Sequence, residues 1–179
     1  CADLRETLAA LCVDTLERLN SELIVVDDGS TDATEDLVAR EFAHASLLKN
    51  DENRGPSYSR NLASRQARGK LLIFLDSDAV PGSDWLRTLI ENDDGETVLI
   101  GAARDYDGGR LQSGPRRATF IGKSVRCHPS KANTGASCNL AVPKSCFERI
   151  GGFDEELPYY FEDSDLCIRA RKAGYKAKY

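Results

Sequence analysis

The chain has 179 residues, 41% hydrophobic and 30% charged, which suits one globular domain with a real core and excludes a disordered chain. A net charge of −5 argues against a broad nucleic-acid surface, and no apolar run reaches the ~20 residues that span a membrane. Six cysteines with no Cys-x-x-Cys pair, and only two histidines, exclude a zinc-finger pattern and read as reduced thiols of a cytosolic protein.

Leu4, Leu8, Leu11, Leu16 and Leu19 recur near helical spacing and predict an amphipathic helix over residues 3–19. Glu22-Leu23-Ile24-Val25-Val26 then predicts a buried strand that ends at Asp27-Asp28-Gly29-Ser30-Thr31-Asp32. Gly29 permits a tight turn, and Ser30, Thr31 or Asp32 can cap a helix over 33–42. Leu47-Leu48 marks a short strand. Asn53-Arg54-Gly55-Pro56-Ser57 interrupts the pattern and starts a helix over 57–68, closed by Gly69.

Leu71 to Leu75 is apolar throughout and predicts another buried strand, which stops at Asp76-Ser77-Asp78. Ser83 caps a helix through Glu91, and Thr97 to Ala102 predicts a further strand. Roughly the first hundred residues thus alternate helix and strand, the pattern of an α/β, Rossmann-like, mostly parallel sheet flanked by helices. In such a sheet the acidic ends of strands 22–26 and 71–75 share the edge where ligands bind. Two carboxylates as close as Asp76 and Asp78 repel unless a cation or donor lies between them, and a hard divalent ion meets that need. A solvated acidic turn is the structural alternative.

After about residue 103 the pattern changes. Asp105, Asp107, Gly108, Gly109, Gly114, Pro115, Arg116 and Arg117 predict exposed loops or a small antiparallel excursion, with weak strand signals over Ala118 to Ile121. Arg116 and Arg117 read as solvated, or as contacts to an anionic substrate group. Asn133 to Val142 mixes small polar and small apolar residues, which lets a substrate approach the backbone. Pro143 opens a short helix through Ile150, Gly151-Gly152-Phe153-Asp154-Glu155 is a turn, and Asp163 or Ser164 caps a helix ended by Gly174.

These pieces, in this order, resemble the inverting family 2 glycosyltransferases with the GT-A fold. The resemblance rests on Val25 to Asp32, on Asn53-Arg54-Gly55 with Arg60-Asn61, and on Asp76-Ser77-Asp78. It continues through Gly151 to Glu155 and Glu162 to Arg169, and closes on Gly174-Tyr175. It implies one catalytic domain, with residues 1–102 as the nucleotide-binding half and 103–179 as the acceptor and catalytic-base half. It also implies that this stretch lacks the family's first strand and a C-terminal segment.

By resemblance Asp163 is the catalytic base. Asp27, Asp28, Asn53, Arg60 and Asp76 lie at the nucleotide, and Asp78 with Asp76 holds Mg2+ or Mn2+. Gly135, Ala136 and Glu162 line the sugar and acceptor pocket. The donor is a nucleotide-diphospho-sugar, foremost a UDP-sugar, and the acceptor a carbohydrate or a lipid-linked one, with any membrane association at the cytoplasmic face and through other parts of the protein. Structural roles compete at each position: helix capping for Asp27 and Asp28, surface solvation for Arg60, and an N-cap with an Asp165–Arg169 bridge for Asp163. A helix N-terminus lowers the Asp163 pKa whereas Glu162 and Asp165 raise it. A non-catalytic sugar-nucleotide-binding module and a nucleotidyltransferase on a related sheet are the rival functions. The absence of Gly-x-Gly-x-x-Gly after a strand disfavours a dinucleotide oxidoreductase.

Overall fold

The computed structural model describes residues 2–104, 111–118, 124–157 and 159–179. The N-terminal leucine pattern forms two helices, α1 (Ala2–Ala10) and α2 (Val13–Arg18), rather than one. Leu11 to Leu16 is a step of five, which a continuous helix would rotate by about 140° off its apolar stripe. A break at Cys12, whose backbone is extended, returns Leu16 to the interior.

The expected alternation follows. β1 (Ile24–Asp27), α3 (Thr34–Glu41), β2 (Ser46–Lys49), α4 (Gly55–Gln66), β3 (Leu71–Leu75), α5 (Trp85–Glu91) and β4 (Thr97–Ile100) come in that order. β1 and β2 pair in parallel, with Ile24 opposite Ser46 and Asp27 opposite Lys49. Leu8 of α1, Leu37 and Val38 of α3, and Phe42 form the buried cluster against which Val25 and Leu47 pack.

A second sheet has the order β10-β4-β9-β3. β9 (Asn139–Pro143) runs antiparallel between β3 and β4, while β10 (Lys176–Lys178) is parallel to β4. β3, β4 and β10 therefore share a direction and one central strand opposes them. The small-residue segment before Pro143 conceals that strand. Its apolar run, Leu140-Ala141-Val142, is too short to carry a period.

Side-chain alternation gives this sheet two faces. Leu72, Phe74, Val98, Ile100, Leu140 and Val142 join Phe147 of α6 (Lys144–Arg149) and Leu166 and Ala170 of α7 (Glu162–Lys172). Leu71, Ile73, Leu99 and Ala141 pack on the other side with Leu89 and Trp85 of α5. Phe74, Phe147 and Phe153 meet with ring centroids 5.1 to 5.6 Å apart, a geometry that adds to simple burial.

The antiparallel excursion is present. β5 (Ala103–Arg104) pairs with β6 (Leu111–Ser113), and β7 (Arg116–Ala118) with β8 (Ser124–Arg126). Asp105, Asp107, Gly108, Gly109 and the expected strand beyond Ala118 lie outside the described residues, as does Cys1. The five described cysteines are free thiols. No described helix is long and apolar enough to cross a membrane.

The helix that positions the site is α4. Its inner face is polar: Ser57, Ser59, Asn61 and Ser64 are buried. Those side chains fasten other segments by hydrogen bonds instead of apolar packing. Ser57 donates to the Leu157 carbonyl, Ser59 accepts from Asn50, and Asn61 exchanges bonds with both backbone groups of Phe153.

Candidate active site

The acidic end of β1 is built into the start of α4. Asp27 is 3% exposed, and its carboxylate accepts the Ser30 N–H at 2.8 Å, closing its own turn. Asp28 reaches across instead. One oxygen accepts from the Asn50 amide at 2.7 Å and the Arg54 N–H at 2.9 Å, and the other accepts the Gly55 N–H at 2.8 Å. Partial burial pushes its carboxyl up, but these donors together outweigh burial and hold it below the usual carboxylate range. Gly29, at φ +77°, lets the turn lie against residues 52–53, where a Cβ would meet the Asn53 nitrogen at 2.8 Å.

The second acidic end, after β3, is reached from the middle of α4. One arm of the Arg60 guanidinium donates to Asp76 at 2.7 Å and the other to Glu162 at 3.2 Å. Arg60 is 14% exposed and sits 5.5 Å from the Phe153 ring centroid. Glu162 also accepts the Ser137 hydroxyl at 2.8 Å. The loop carrying Asp78 is held by α1, whose Thr7 hydroxyl donates to the Ser77 carbonyl. Asp78 itself is exposed and has no ion pair among the described residues.

α7 starts two residues earlier than a cap at Asp163 would place it. Phe161 precedes it in the left-handed region, at φ 69°, and Glu162 and Asp163 form its first turn. Asp163 accepts the N–H of Ser164, whose hydroxyl meets that of Thr134 at 2.9 Å. Its carboxyl is pushed up, first by burial and then by the Glu162 charge, while the Ser164 bonds and Arg60 oppose the rise. The opposing influences at the helix start thus resolve upward, because burial dominates.

Cys138 places these groups together. Its thiol is pushed up to about 11 by burial and by the charges of Asp76, Asp163 and Asp78, with Arg60 acting against them. Carboxylates from two widely separated stretches therefore act on one half-buried thiol next to β9.

A family model described as "Glycosyl transferase family 2" matches residues 1–151. The chain belongs to glycosyl transferase family 2. It is similar to the glycosyltransferase AglE of Haloferax volcanii, 29% identical over 185 residues covering 97% of this chain and 58% of that protein. It is also 29% identical over 168 residues to "UDP-Glc:alpha-D-GlcNAc-diphosphoundecaprenol beta-1,3-glucosyltransferase WfaP" of Escherichia coli, covering 89% of this chain and 62% of that protein. Among solved structures it resembles the mannosyltransferase PcManGT of Pyrobaculum calidifontis in complex with GDP-Man and Mn2+. There the TM-score is 0.77 at 24% identity, over 99% of this chain and 50% of that one. The GT-A fold expected from the motifs is the fold found. The chain spans 58% and 62% of these two relatives' lengths.

In this family 2 domain Asp76, Asp78, Asp163, Arg60 and Glu162 converge, whereas Asp27 is turned into its own loop. Asn53 accepts the Tyr159 hydroxyl at 3.0 Å, joining the loop before α4 to the segment before Asp163. Gly135 is buried, and a Cβ there would fall 1.9 Å from Ile100 Cγ2, so its smallness serves the packing of β4. The Ala136 carbonyl accepts the Asn139 N–H at the start of β9. Arg169 bonds Asp165 at 2.6 Å and the Ile150 carbonyl at 2.7 Å, so it orders the α7 face and the turn after α6. Arg117 lines a separate cleft with Lys131, Arg171 and Lys176, at the end of α7 opposite Asp163. Ser137, Thr134 and Cys138 are the site neighbours that no sequence spacing singled out individually.

Among the described residues no three His, Cys, Asp or Glu side chains form a ready metal cage. Mg2+ and Mn2+ do not need one, since they bind through one or two carboxylates and take their other positions from phosphate and water. Asp78, unpaired, and the Asp76 oxygen that Arg60 leaves free are a donor set of that kind.

Proposed function

We propose that this domain transfers a sugar from a nucleoside diphosphate to an acceptor hydroxyl, with inversion, in the presence of Mg2+ or Mn2+. The observation that carries the reading is Arg60, which spans Asp76 and Glu162 and so ties the strand end that carries Asp76 and Asp78 to the helix turn that carries Asp163. The metal site and the base then face one reaction volume.

Asp78 and Asp76 would hold the divalent ion, which when bound neutralises charge on the departing diphosphate. Asp28 and Asn53 flank the nucleoside. The Asp28 carboxylate is occupied by the Asn50, Arg54 and Gly55 donors and the Ser59 hydroxyl, so it serves the nucleoside by fixing the loop that carries Asn53. Asp163 takes the proton of the acceptor hydroxyl as that oxygen attacks the anomeric carbon. The carbon–oxygen bond to the diphosphate breaks and its electron pair leaves with the phosphate. A single displacement from the opposite face inverts the anomeric configuration. A carboxyl with a raised pKa is a stronger base than an ordinary aspartate, which suits that proton transfer. Arg60 meets carboxylates on both arms, so its charge reaches phosphate only through them.

The donor is a UDP-sugar, as in the name of WfaP, with a GDP-sugar the next choice, as in the PcManGT complex. The acceptor belongs to glycan or glycolipid synthesis, and the undecaprenyl diphosphate in the name of WfaP supports a lipid-linked one at the cytoplasmic face of a membrane. Residues Gly135, Ala136 and Glu162 border the acceptor side. The test is calorimetric titration of UDP and of GDP into the full-length protein with Mn2+, then with EDTA, on wild type and Asp78→Ala. Binding that requires both the metal and Asp78 supports the reading. Metal-independent binding removes the role given to Asp76 and Asp78.

A further inference from the structure

Three consecutive aromatics stand in front of the proposed base. Tyr159, Tyr160 and Phe161 are 59%, 79% and 65% exposed. Neither burial nor capping accounts for Phe161. It sits at φ 69°, a conformation that disfavours bulky side chains and that glycine or asparagine adopts at little cost, and its side chain makes no cap bond. An exposed aromatic held in strained backbone beside a functional residue points to a role in binding.

The segment is anchored on both sides. Ser57 of α4 donates to the Leu157 carbonyl, and the Tyr159 hydroxyl donates to Asn53 on the loop before α4. The aromatics therefore bridge the loop proposed for the nucleotide and the helix turn that carries Asp163.

The surrounding charge selects the occupant. Asp154, Glu155, Glu156 and Asp163 flank the triplet with no ion pair among the described residues, Glu162 and Asp165 are paired with Arg60 and Arg169, and no Lys or Arg occurs from Gly151 to Ile168. An anionic membrane surface is repelled by that segment. A pyranose ring suits it: its C–H face packs on an aromatic ring, and its hydroxyls donate to carboxylates and amides at the rim.

We infer that Tyr160 and Phe161, steadied by Tyr159, form a stacking platform for a pyranose ring of the acceptor, beside the hydroxyl that Asp163 deprotonates. This inference rests on the glycosyl-transfer reading for the identity of the acceptor.

The test is capture of the full-length protein on an array of immobilised glucosides, mannosides, galactosides and N-acetylglucosaminides. Wild type, Tyr160→Ala and Phe161→Asn are compared, with calorimetry of UDP and GDP plus Mn2+ on each. The expected result is capture by wild type on at least one pyranoside. Each substitution lowers that capture at least tenfold, while nucleotide binding is unchanged and Phe161→Asn melts no lower than wild type. Undiminished capture by both variants overturns the platform, and so does a wild type that captures no pyranoside. A Phe161→Asn protein that melts well below wild type also overturns it, because Phe161 would then be structural. Aromatic-dependent co-sedimentation with phosphatidylglycerol vesicles, without capture, replaces the sugar by a membrane. Aromatic-dependent capture in a wild type that binds neither nucleotide upholds the platform and removes the transfer reading instead.

Discussion

Arg60 lies 3.2 Å from Glu162, although one is in the middle of α4 and the other opens α7. The same guanidinium holds Asp76 at 2.7 Å, so a single side chain ties the end of β3 to the turn that carries Asp163. Glu162 is 8% exposed in its side chain, so it depends on that cation and on Ser137.

Arg60→Met should destabilise the fold by about 3 kcal/mol, because removing one partner leaves a buried carboxylate unpaired. Arg60→Lys keeps the charge but cannot present two parallel arms, so it should recover only part of that loss. Urea unfolding reads both. A Met variant as stable as wild type would show that Glu162 is not held by Arg60.

Asp28 and Asp78 should separate structure from binding. Asp28→Ala strands the N–H groups of Arg54 and Gly55 and the Asn50 amide, at a cost of about 1–3 kcal/mol. Asp78→Ala removes an exposed, unpaired carboxylate and should stay within about 0.5 kcal/mol of wild type. It should nevertheless lose metal-dependent nucleotide binding. Denaturant unfolding beside calorimetry checks the pair.

Asp163→Asn should raise stability at neutral pH while lowering transfer about 10²- to 10⁴-fold, the usual worth of a general base. The carboxyl is pushed above its unfolded value by burial and by Glu162, so the native state binds the proton more tightly. Stability then falls as pH rises and Asp163 ionises. The advantage of Asn over Asp should shrink as pH falls through the native pKa of the carboxyl toward its unfolded value. Thermal unfolding of the metal-free pair between pH 4 and 8 measures it, and equal melting temperatures at pH 7 would refute the upward shift.

Gly135→Ala should cost about 1–3 kcal/mol by overpacking, because its Cβ would fall on Ile100. Ile100→Ala removes the clashing atom, so the double variant should be less destabilised than the sum of the singles. Nucleotide binding by the folded single variant should be unchanged. A strictly additive cycle would argue that the glycine serves something other than this contact.

Much of the molecule is legible in its residues. Apolar runs that stop at Asp27-Asp28 and Asp76-Ser77-Asp78 locate two strand ends, because a buried strand cannot carry unpaired carboxylates in its interior. The helix that begins at Glu162 is likewise local in origin, down to the Asp165–Arg169 bridge one turn apart. The split of the first helix is foreshadowed by the five-residue step between Leu11 and Leu16. The central strand β9 is not foreshadowed, since a short run of small residues has no period to betray it.

Local pattern alone thus specified the alternating elements, the acidic strand ends and the order of the motifs, because each depends on neighbours within a turn or a strand. Tertiary structure decided which carboxylates meet, that Asp27 closes its own loop while Asp28 crosses to α4, and that Arg60 bridges Asp76 and Glu162 rather than facing solvent. It also decided that burial, not the helix N-terminus, governs Asp163. Those outcomes depend on distances between segments far apart in the chain, and on the water that packing removes, neither of which is written in sequence spacing.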